Sequence, residues 1–179
     1  EHGVRQTAPL PRDEDYIKEM AFYYHIVVET AKDYIRLFEN YYVHKFPSFS
    51  MVGESMGGQI IYMVGCKKNE LKNIGAIVGS PSLIDYGYED LIDNHATIDD
   101  PNMLDHLSEW DGFYHLDKFK DKHIYMLCGT KDKVVPRKWS QQFKTLMEEQ
   151  FHTKTIVYEE VERDHWIPLE DLTTLFKYI

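Results

Sequence analysis

An α/β architecture, a mostly parallel sheet with helices on both faces, is what this sequence predicts, and three observations carry the prediction. Apolar runs of strand length recur at Phe49–Val52, Ile74–Pro81 (closed by turn residues), His123–Gly129 and Lys154–Val161. Segments with helical spacing separate them, as parallel neighbours require a crossover. With 179 residues, 43% of them hydrophobic, the chain fits a single domain, residues 1–179, with enough apolar material for one core.

Taken in order, the elements have local reasons. After the loop holding Pro9 and Pro11, Asp13, Glu14 and Asp15 put negative charge where a helix amino terminus favours it. Apolar residues then recur at Ile17, Met20, Tyr24, Val27, Ala31, Ile35 and Phe38, one long amphipathic helix that could break near Val27–Val28 and that Pro47 stops. The run "FSMV" is expected to be a strand buried on both faces, followed by helical spacing through Met56, Ile60, Ile61 and Val64. Residues 84–117 mix acidic loops and aromatics with short helical pieces such as Met103–Trp110. The run "HIYMLCG" precedes a helix with Trp139, Phe143, Leu146 and Met147 on one face. The run "KTIVYEEV" is the fourth strand, and a last helix is expected from about Leu169.

A formal net charge of −10 with no basic stripe argues against binding nucleic acid or an anionic membrane surface. No apolar window is long enough to span a bilayer, and "EHGVRQTAPLPRDED" holds no signal-peptide core, so a cytoplasmic location is expected. Cys66 and Cys128 form neither a metal knuckle nor a disulfide framework and are expected to be buried thiols. His95, His106 and His115 show no paired metal-ligand spacing, so no metal site is expected.

In a parallel sheet, functional groups gather at the carboxyl ends of the strands. Ser55 follows the first strand in "VGESMGGQ", inside a Gly53-x-Ser55-x-Gly57 pattern. Both glycines are expected to be required, because a reversal tight enough to lift a serine hydroxyl above the sheet crowds neighbouring backbone. Asp132 follows the third strand in "GTKDKVVP", and His165 follows the fourth in "ERDHWIP". A serine hydroxyl becomes a nucleophile when an imidazole takes its proton, and a carboxylate holds that imidazole in the right tautomer. Asp164 is the rival carboxylate, but neighbours in a loop generally point apart.

With its order Ser, Asp, His, the chain resembles the α/β-hydrolase superfamily of serine hydrolases, near its esterase and dienelactone-hydrolase-like or prolyl-oligopeptidase-like branches. The resemblance covers nearly the whole chain and implies the C-terminal portion of that fold. It implies Ser55 as nucleophile, His165 as general acid/base, Asp132 as orienting carboxylate and the Met56 N–H as one oxyanion donor, with no cofactor. Glu54 and Trp166, beside Ser55 and His165, are the implied substrate contacts; the aromatics of residues 84–117 are most simply core and loop packing, and the resemblance also gives that segment the place of a lid or cap. His2-Gly3-Val4-Arg5 resembles the HG-x-R that follows the fourth strand of the complete fold. Taking His2-Gly3 as the second oxyanion loop would make "TAPLP" a central strand, which its prolines forbid. The strands that precede the long first helix in the complete fold are therefore expected in a longer chain.

The function expected is cleavage of a carboxylic ester or related acyl bond in a small-molecule substrate through an acyl-enzyme. Two alternatives stand: a hydrolase-like binding scaffold without activity, or a thioesterase or peptidase using the same three residues.

Overall fold

Each apolar run finds a parallel neighbour, and the helices between the runs bury their apolar stripes on the resulting sheet. The computed structural model describes residues 16–87 and 101–178. His2 to Arg5, Asp13 to Asp15, Tyr88 and His95 lie outside the described residues. The elements run α1 (Tyr16–Leu37), β1 (Phe49–Glu54), α2 (Met56–Lys67), β2 (Leu71–Ile77), α3 (Pro101–Ser108), β3 (His123–Gly129), α4 (Lys138–Phe151) and β4 (Ile156–Val161). The strands form a four-stranded sheet in the order β1-β2-β3-β4, every pair parallel.

α1 passes Val27–Val28 without a break and continues into one π-helical turn, Phe38–Tyr42. Met20, Tyr24, Val27, Ala31 and Phe38 are all buried, the stripe that the helical spacing marks. α2 is buried from Gly58 to Cys66, because it lies between α1 and the sheet. Residues of α1, α2, α3 and α4 share the larger core with the inner faces of the strands. Tyr62, Phe119 and Phe143 meet there edge to face or tilted, with centroids 5.3 to 6.0 Å apart. Such ring pairs contribute about 0.5–1.5 kcal/mol each beyond their burial.

The opposite face carries a smaller cluster of Ile77, Val78, Tyr125, Leu127, Ile167 and Leu175. Its cover is not the long last helix expected from Leu169 but two 3-10 turns, Leu169–Leu172 and Leu175–Lys177. The contacts explain the difference: Leu172 and Leu175 pack on the sheet and Tyr178 stacks on Tyr125, a recurrence every three residues that matches the 3-10 repeat.

β1 also departs from expectation. It is not buried on both faces: its residues alternate between half-buried and exposed, and Val52 is 47% exposed. Among the described residues β1 pairs with β2 alone, so one side of its ladder is open. Both cysteines are buried, and burial pushes the Cys128 thiol up to about 11.

At the amino ends of the strands, Lys122 is buried and donates from Nζ to the carbonyl oxygens of Lys68 (2.7 Å) and Leu71 (2.8 Å). This ties the α2–β2 turn to the start of β3. The opposite, carboxyl ends are left to the loops that carry Ser55, Asp132 and His165.

Candidate active site

Ser55 stands between β1 and α2 with φ 53° and ψ −118°, left-handed backbone that a residue with a Cβ rarely adopts. Its N–H donates to Ile77 O at 2.8 Å, which pins the reversal to the end of β2. Although Ser55 is the N-cap of α2, its hydroxyl makes no capping bond. That leaves Oγ to point out of the turn.

The reversal depends on Gly53. A Cβ there would lie 2.2 Å from the carbonyl oxygen of Gly57, an overlap with backbone that no rotamer relieves. The expectation for Gly57 is corrected: a Cβ on it meets nothing within 4 Å. The second glycine the turn requires is Gly58, whose Cβ would come 2.8 Å from the Cα of Gly79, so α2 and the loop after β2 touch backbone to backbone.

His165 brings the other two residues together. Its Nε2 lies 2.7 Å from Ser55 Oγ and its Nδ1 lies 2.9 Å from Asp132 Oδ2. In the tautomer that satisfies both contacts, Nδ1–H donates to Asp132 and Nε2 accepts from the serine hydroxyl. The Asp132 side chain is 1% exposed, and its Oδ1 accepts from the N–H groups of Val134 (2.8 Å) and Val135 (3.0 Å). Those bonds aim the other oxygen at the imidazole. The Asp164 Oδ1 accepts instead from the Trp166 N–H at 3.0 Å.

The separation of the two loops is set by Gly129. A Cβ on it would lie 2.4 Å from Asp164 O and 2.7 Å from Arg163 O, so the loop that carries His165 crosses directly over the end of β3. Lys131 N–H donates to Arg163 O at 2.9 Å, and the Arg163 guanidinium pairs with Asp171 and Glu170. Together these contacts hold the His165 loop at both ends.

Of the remaining predicted residues, Met56 opens α2, so its N–H is among those with no intrahelical acceptor. Glu54 is exposed at the end of β1, and Trp166 is 69% exposed beside His165. Among the described residues no cluster of three His, Cys, Asp or Glu side chains could hold a metal ion.

No protein-family model matches this sequence, and no curated protein matches it. Solved structures do. TT1662 of Thermus thermophilus superposes with a TM-score of 0.67 at 16% identity, over 99% of this chain and 73% of that one. The esterase Pf2001 of Pyrococcus furiosus superposes with a TM-score of 0.56 at 16% identity, over 85% of this chain and 60% of that one. The chain has the α/β-hydrolase fold. A puromycin-hydrolyzing peptidase of Mycobacterium tuberculosis shares it with a TM-score of 0.52 and 20% identity, over 66% of this chain. The chain spans 18% of the peptidase and 60% of the esterase.

Within the α/β-hydrolase fold, the residues that sequence reasoning missed are those joining the loops. Asp111, fully buried, accepts from the N–H groups of Leu83 (2.7 Å), Ile84 (2.9 Å) and Phe113 (2.8 Å). It thereby closes the base of the excursion between β2 and β3, whose described aromatics divide: Trp110 is buried in the core and Tyr114 is 62% exposed. Burial raises the Asp111 carboxyl above the usual range, against the pull of those N–H donors. Val78 takes φ 42° immediately after β2, a signal that no sequence pattern carries.

Proposed function

We propose that the chain is a serine hydrolase that cleaves a carboxylic ester or related acyl bond of a small-molecule substrate through an acyl-enzyme. One observation carries this reading: a serine on strained backbone, with its hydroxyl 2.7 Å from an imidazole that is itself 2.9 Å from a buried carboxylate. Strain of this kind costs about 1–3 kcal/mol and is retained where function requires the geometry.

Ser55 Oγ attacks the acyl carbon as its proton passes to His165 Nε2. The oxygen of the tetrahedral intermediate takes the negative charge and accepts from the Met56 N–H at the start of α2. Collapse breaks the bond to the leaving alkoxide, which takes the proton from the imidazolium, leaving the acyl group on Ser55. Water then attacks with His165 as base, the acid departs and the proton returns to Ser55. Asp132 holds the imidazole tautomer throughout. Trp166 and Glu54 flank the mouth of the site as substrate contacts, with residues 84–117 as the lid or cap segment.

The fold is shared with an esterase and with a peptidase, which supports acyl transfer and leaves ester, thioester and peptide bonds to a substrate panel. The deciding experiment is fluorophosphonate labelling, which modifies an activated serine, with the adduct mapped by peptide mass spectrometry and Ser55→Ala as control. An adduct on Ser55 is expected. A folded sample without one supports the alternative, a binding scaffold without turnover.

A further inference from the structure

Ser55 has a strained neighbour in Val78. The register of β1 with β2 pairs Glu54 with Ile77, so the residues that follow, Ser55 and Val78, leave the sheet side by side. Both have left-handed backbone, at φ 53° and φ 42°. For a β-branched residue this conformation is a genuine outlier, and glycine would adopt it without strain.

The side chain accounts for the valine. Val78 is 2% exposed and sits in the cluster on the second face of the sheet with Ile167, the residue two beyond His165. Its N–H donates to Leu127 O at 2.8 Å, which anchors it to β3. The next residue, Gly79, packs on the first turn of α2, where its Cβ would come 2.6 Å from the Cα of Gly58. One dipeptide thus touches the helix that follows the serine through its glycine and the cluster under the histidine loop through its valine.

We propose that Val78 is a positioning residue for the reaction: its strained backbone directs the isopropyl group into the cluster under Ile167, and this fixes the distance from His165 to Ser55. The inference rests on the serine-hydrolase reading. A conformationally relaxed residue would place no branched side chain under the loop, and the imidazole would lose its register with the hydroxyl while the fold remained intact.

The test compares wild type, Val78→Gly, Ile167→Ala and the double variant. Folding is checked by thermal melting, reactivity by the second-order rate of fluorophosphonate labelling at Ser55, and the histidine by the low-field Nδ1–H proton resonance of its bond to Asp132. Val78→Gly is expected to be folded, to label about 10- to 100-fold more slowly and to lose the resonance through exchange with water. Ile167→Ala is expected to do the same, and the double variant no worse than either, since both act through one cluster. Labelling of folded Val78→Gly at the wild-type rate with the resonance intact overturns the proposal, as do losses that multiply in the double variant. If Val78→Gly does not fold, Ile167→Ala decides. If wild type itself does not label, the hydrolase reading fails separately, and the resonance alone decides: lost in Val78→Gly it supports the positioning role, and unchanged it overturns it.

Discussion

A Cβ on Gly53 would stand 2.2 Å from the carbonyl oxygen of Gly57, while a Cβ on Gly57 would meet nothing. The two glycines of the motif therefore have different tolerances. Gly53→Ala forces β1 and α2 apart and is expected to cost at least about 1–3 kcal/mol and to abolish labelling of Ser55. Gly57→Ala, in the first turn of α2, is expected to raise stability by up to about 1 kcal/mol, because alanine loses less backbone entropy in a helix. Urea unfolding of both variants checks the pair, and equal destabilisation would refute the asymmetry.

The choice between the two carboxylates near His165 is settled by exchange of each for its amide. Asp132→Asn keeps the shape but turns the Nδ1 partner into a donor or a misdirected acceptor, and comparable changes in serine hydrolases cost about 10⁴ in rate. Asp164→Asn keeps an oxygen for the Trp166 N–H, so labelling near the wild-type rate is expected. A reversed order of the two effects would reassign the orienting role.

The meeting of Ser55, Asp132 and His165 was legible because each follows an apolar run, and the ends of parallel strands are where side chains converge. The contacts that hold them together were not. Gly58 and Gly79 meet across two elements, and nothing in either local sequence announces the contact. The exposure of β1 depends on how many neighbours a strand has, which its own apolar residues do not encode. The three-residue recurrence of Leu172, Leu175 and Tyr178 is present in the sequence, but over so short a span it is hard to tell from a helical repeat. Asp111 lies in an acidic stretch where one carboxylate looks like the next.

That carboxylate gives a stability test. Asp111 Oδ2 accepts from Leu83 and Ile84, while Oδ1 accepts from Phe113. Asparagine has one oxygen, so whichever way the amide sits, its NH₂ confronts a backbone N–H in a buried site. Asp111→Asn is expected to destabilise by about 1–3 kcal/mol, measured by urea unfolding. Unchanged stability would mean that the base of residues 84–111 is not closed as described.

Lys122 makes stability depend on pH in a direction opposite to most lysines. Burial lowers its ammonium to about 8, against the ordinary 10.5. The unfolded chain therefore holds more protons than the folded chain between these values, and stability rises with pH across that window. The contribution is absent below pH 8, grows through the window and is complete above about 10.5. Deprotonation does not break the tie, since a neutral amine keeps two N–H donors for the carbonyls of Lys68 and Leu71. Lys122→Met removes the titration while leaving every other lysine and tyrosine in place. The difference in unfolding free energy between wild type and Lys122→Met is therefore expected to move in favour of wild type from pH 7.5 to pH 9.5. A difference that stays constant or moves the other way would show that the two carbonyl bonds offset or outweigh the burial of the ammonium in the folded chain.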